Sequence, residues 1–160
     1  MRFTLIKNIK KDKSLKPMLN GLFIFMLLFL VADILVKESG FGVSSNQVNI
    51  TLFGDEENYI DPLSKSLFLE HIHTETFFMM MLLLTLCAVF NRLHQEKRYA
   101  LLYTNIVMLS ALLSILSLGL SYFYSELFIS VYIFSFFLWH GFAIFILSSS
   151  LWRLNYAKKL

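Results

Sequence analysis

Four long apolar runs, each close to the length that crosses a bilayer, take up most of the chain. A helical span needs roughly 20 mainly apolar residues. Lipid offers the backbone no hydrogen-bond partners, so such runs fold as helices or as strands of a closed barrel. Barrel strands alternate polar and apolar residues. These runs are continuous, with 17 Phe against 6 Gly and 2 Pro. The pattern therefore predicts an all-α integral membrane protein, an antiparallel bundle of four transmembrane helices. Only 16% of residues are charged, against about a quarter in an ordinary soluble domain. A chain of this length makes one domain.

Residues 1–17 form a basic arm, and residues 18–160 form a single membrane domain. The expected helices run over about 18–36, 62–92, 100–123 and 127–152. The first resembles a signal peptide but is as long as a full span and lacks a small-residue cleavage site, so it is read as retained. The polar segment 37–61 forms the outer loop. Within it Val48, Ile50 and Leu52 alternate with Asn49 and Thr51, which suggests a strand in a short β-hairpin. Asp61-Pro62 is a favourable helix start, a capping carboxylate followed by proline at the first helical position.

Orientation follows from the basic residues. The arm, the second loop (Arg92, Lys97, Arg98) and the tail (Arg153, Lys158, Lys159) hold twelve of the 14 Lys and Arg residues. The first loop holds Lys37 and Lys65, among several acids, and the third holds none. The positive-inside rule then puts both termini in the cytoplasm of a cell with the protein in its inner (plasma) membrane. Trp152 and Tyr156 at one end, and Tyr122 and Tyr124 at the other, suit the aromatic belts of the two interfaces. The net charge of +3 is membrane sorting, not a nucleic-acid signal.

Ionisable residues inside apolar runs are costly and nominate a site. Glu70-His71-Ile72-His73-Thr74-Glu75 is the densest group. On a helix Glu70 and His73 share one face, and His71 and Glu75 share another. Either pair suits a divalent metal, because imidazole and carboxylate together bind zinc, copper, iron or nickel. Asp33 enters the bundle near the same end and expects His71 or His73 as its partner. The candidate metal ligands are thus Asp33, Glu70, His71, His73 and Glu75. His140, between Trp139 and Gly141, adds a b-type haem reading, with His71, His73 and His140 as candidate cofactor ligands. A depth difference of roughly 10 Å, from about 1.5 Å per residue, argues against a simple His73–His140 axial pair.

Other features read as structural. Ser110, Ser114, Ser117 and Ser121 line one helix face and form a packing seam. Met79, Met80 and Met81 point in different directions around their helix and serve as adaptable packing. Cys87 is a buried small hydrophobe, His94 is a solvated loop residue, and the Asp55-Glu56-Glu57 turn is a solvated acidic turn lacking the spacing of an EF-hand.

Two functions fit. One is a small membrane protein that binds a metal ion or b-type haem near its outer face, in electron transfer or metal handling. The other is a cofactor-free accessory or assembly subunit of a larger membrane complex, or a homo-oligomer. The sequence shows no nucleophile with an adjacent base, so independent catalysis is not expected. Lipid is the one partner the composition requires.

Overall fold

The computed structural model describes residues 15–94 and 98–156. Most of the basic arm, residues 95–97 of the second loop and Lys158 and Lys159 of the tail lie outside the described residues. Five helices follow one another: α1 (Leu15–Gly40), α2 (Ser45–Phe53), α3 (Lys65–Leu93), α4 (Arg98–Phe123) and α5 (Phe128–Asn155). All but α2 are long and apolar enough to cross a membrane. The protein is thus a multi-pass membrane protein whose surroundings are a lipid bilayer.

The expected strand is a helix instead. Ser44 caps α2 in a reciprocal box, its hydroxyl accepting from the Gln47 N–H while the Gln47 side chain accepts from the Ser44 backbone. The alternating residues do not face one way. Val48 and Leu52, four apart, are both buried, as a helix requires, and Ile50 is only half-buried. Among the described residues the only β pairing is an isolated bridge between Asp55 and Ile60. That bridge closes a tight turn in which the Asn58 side-chain amide donates to Asp55 at 2.7 Å. This bond, helped by the backbone N–H groups of Asn58 and Glu57, holds the Asp55 carboxyl below its usual range.

Two further boundaries move. Ser64, not Asp61, caps α3 and accepts from the Leu67 N–H. Asp61 and Pro62 belong to the preceding loop, which Tyr122 fastens by donating to the Leu63 carbonyl at 3.0 Å. α1 runs beyond residue 36 to Gly40, so Lys37 is a helical residue.

α5 is the central helix. It is buried on more than one face and packs against α1, α2, α3 and α4. Its most extensive partner is α4, where the serines Ser110, Ser114, Ser117 and Ser121 are all buried. Small side chains there bring the two backbones close, as a packing seam should. Ser110 and Ser121 turn their hydroxyls back to carbonyls of their own helix. One end of the bundle, the α2 end, carries α2 and the α4–α5 turn.

α1 is the least embedded span, with 22% of its most apolar window buried. It touches the bundle along a stripe of Leu19, Phe23, Met26 and Leu30, and the same spacing continues to Asp33 and Lys37. Near the opposite end Asn20 and Asn155 exchange amide hydrogen bonds of 3.1 and 2.9 Å, tying α1 to α5.

Candidate functional site

The stripe that seats α1 changes character at its last two positions. Asp33 and Lys37 stand where the pattern demands apolar core residues. Each finds a partner on a different helix. Asp33 Oδ2 lies 3.0 Å from His140 Nε2 on α5. Lys37 Nζ donates to Glu75 Oε2 on α3. The two contacts join three spans into one polar cluster inside the α2 half of the bundle.

Burial separates these groups from ordinary surface pairs. The side chains of Lys37, Glu75 and His140 are 4%, 10% and 2% exposed. A lone charge in such surroundings is very costly, and each here is offset by a partner. The Lys37 ammonium also sits 5.5 Å from the centre of the Phe136 ring and 5.9 Å from that of Phe41, both within cation–π range. His71 lies one turn before Glu75 on α3. Its Nε2 is 3.1 Å from Glu75 Oε2, a close contact out of line for a hydrogen bond. Phe41 stacks flat on the His71 ring at 4.6 Å and meets buried Tyr132 edge-on at 6.3 Å. One oxygen of the cluster, Glu75 Oε1, is buried and makes no hydrogen bond.

His140 is held at both ring nitrogens. Nδ1 lies 3.0 Å from the Phe136 carbonyl, one turn back on the same helix, and Nε2 faces Asp33. Phe136 and Trp139 pack against its ring at 4.1 and 3.7 Å between centroids. Gly141 faces away from the bundle, and a Cβ there would meet nothing within 4 Å.

Of the residues nominated above, Asp33, His71, Glu75 and His140 enter the cluster. Glu70 and His73 are exposed on the outer side of α3. Asp33 pairs with His140 rather than with His71 or His73. Numbering in from the loops hid this pairing, because the helices do not start at a common depth. Among the described residues no three His, Cys, Asp or Glu side chains gather to hold a metal ion. The metal set Asp33, Glu70, His71, His73 and Glu75, and the haem set His71, His73 and His140, are thus spread over different faces and partners.

Lys37 was missed from sequence because it lies just past the first apolar run. Its signal was available in the core stripe, which reaches it four positions after Asp33. His94 also departs from expectation. It is 2% exposed, packed 4.3 Å from the Phe90 ring, with Nδ1 at 3.0 Å from the Phe90 carbonyl. Met79 is buried while Met80 and Met81 face outward, and Cys87 is buried, both as expected.

Comparison with curated proteins and with solved structures finds no match. Residues 42–159, which carry α2 to α5 and with them His71, Glu75 and His140, match the Aq_1264_TM family model, a transmembrane helical domain, and the chain belongs to that family.

Proposed function

We propose that the protein works without a redox cofactor of its own, as an accessory or assembly subunit in a larger membrane complex. The observation that carries this reading is His140, a buried imidazole whose two ring nitrogens are both engaged by the protein. An axial haem ligand needs one ring nitrogen free for iron. Lys37 already pairs with Glu75 through Oε2, so a metal at His71 and Glu75 would sit beside an ammonium that neutralises the same buried carboxylate.

What the chain then offers to others is its surface. At the α2 end the acidic turn presents Tyr59, 96% exposed and held at φ 55°. A non-glycine residue in that left-handed region is uncommon. We also infer that the α2 end faces outward from the inner (plasma) membrane, with both termini cytoplasmic.

The test is purification from native membranes under mild conditions. The expected result is co-purification with larger membrane proteins, no haem absorption in the reduced protein, and no stoichiometric metal by elemental analysis. A haem spectrum or one metal per chain overturns the reading in favour of a cofactor site at His71, His73 or His140.

A further inference from the structure

We propose that Asp33 and His140 together form a proton-binding site that joins α1 to α5. His140 Nδ1 is 3.0 Å from the Phe136 carbonyl oxygen. A carbonyl only accepts hydrogen bonds, so Nδ1 carries a hydrogen. In a neutral ring Nε2 then presents a lone pair. That lone pair faces Asp33 Oδ2 at 3.0 Å. An ionised carboxylate also presents lone pairs, and two acceptors at this separation, one of them on a side chain only 2% exposed, repel each other. One added proton turns the repulsion into a hydrogen bond, whether it resides on Nε2 or on Oδ2.

Charge balance in the whole cluster leads to the same count. The groups that face one another are Asp33 and Lys37 from α1, His71 and Glu75 from α3, and Tyr132 and His140 from α5. Lys37 and Glu75 cancel, and Glu75 Oε2 already accepts a hydrogen from the ammonium. Tyr132 lies within electrostatic range of both carboxylates. α2 has no ionisable residue. α4 brings only Tyr122 to this end, and its hydroxyl is bonded to Leu63. With both imidazoles neutral and both carboxylates ionised the cluster carries one uncompensated negative charge. The added proton removes it, and a low-dielectric interior strongly favours the neutral total. Asp33, with 24% of its side chain exposed, is the open edge of the site.

The proton is a component of the contact that seats α1. Raising the pH withdraws it, so the α1–α5 contact weakens as the proton leaves. Asp33→Asn isolates this property. The Asn amide can donate to Nε2 with no added proton, so the variant keeps the contact and loses the site.

The experiment uses the full chain in phosphatidylcholine nanodiscs with ¹⁵N-labelled histidine, the His140 signals being assigned by their loss in His140→Gln. The expected wild-type result near neutral pH is a protonated Nδ1, with the added proton seen either on Nε2 or as an infrared carboxylic-acid band that Asp33→Asn abolishes. On alkaline titration wild type is expected to release about one proton more than Asp33→Asn. A neutral His140 protonated only at Nε2 overturns the proposal, and this needs no variant to fold. Equal proton release by the two proteins overturns it as well. So does a His140 transition that follows sodium concentration at constant pH.

Discussion

At the scale of single residues, the cluster is governed by the cost of an unpaired charge in an apolar interior. Lys37 and Glu75 are each nearly buried and each is the other's counter-ion. Removing one leaves the other uncompensated. Lys37→Ala is therefore expected to destabilise the bundle by about 3–5 kcal/mol, the usual cost of breaking a buried pair from one side. Replacing both at once, Lys37→Met with Glu75→Met, removes the charge and its solvation cost together. The double variant is expected within about 1 kcal/mol of wild type, since a well-packed apolar pair often matches a buried salt bridge. Unfolding in mixed detergent micelles compares the three proteins, and a double variant as weak as the single one would show that the pair does more than neutralise itself. Asp33, His71, Glu75 and His140 were legible because an ionisable group in an apolar run is conspicuous by its cost. Their pairing was not legible, because it depends on how far each helix slides along its neighbour. Lys37 looked like a loop residue until α1 was seen to reach Gly40.

At the scale of elements, the long helices were plain in the sequence and the short one was misread. Apolar residues at 48, 50 and 52 fit a two-residue period, yet 48 and 52 alone also fit a helix, and the local cap decides between them. Ser44 and Gln47 satisfy four backbone and side-chain groups at the start of α2, which a strand would leave to water. Ser44→Ala should therefore cost about 1 kcal/mol, confined to this helix. Faster amide exchange in α2, with the spans unchanged, is the expected signature. A stronger local effect is expected from Gly54→Ala. Gly54 ends α2 at φ 81°, and a Cβ there would lie 2.6 Å from the Ile60 carbonyl and 2.9 Å from the Pro62 nitrogen. Backbone atoms cannot swing aside as a long side chain can, so the Asp55–Ile60 bridge should open. Loss of protection at the Asp55 and Ile60 amides would report it, and unchanged protection in this variant would mean that the turn has room to shift.

For the whole molecule, the distribution of charge between the two ends determines how the bundle sits in its membrane. Among the described residues near the α2 end, only Lys37 and Lys65 are Lys or Arg. Lys37 is consumed by Glu75, and the Lys65 ammonium sits 5.9 Å from the Phe123 ring. Glu38, Asp55, Glu56, Glu57, Asp61, Glu70 and Glu126 gather at the same end. The opposite end carries Lys16, Arg92, Arg98 and Arg153 among the described residues, and the sequence adds the rest of the basic arm and tail. Retention of Lys and Arg on the cytoplasmic side is what supports the proposed orientation, with the α2 end facing out. A single experiment checks this. Cys87 is buried and is the sole cysteine, so Cys87→Ala gives a background free of native thiols. Asn58→Cys places a thiol in the acidic turn, and Tyr156→Cys places one at the far end of α5, where Tyr156 is 70% exposed. In right-side-out vesicles a membrane-impermeant maleimide should label the first at once and the second only after the membrane is opened. The reverse order would invert the protein. It would also bring the open edge at Asp33 nearer the cytoplasmic face, so the compartment whose pH the α1–α5 contact follows would change with it.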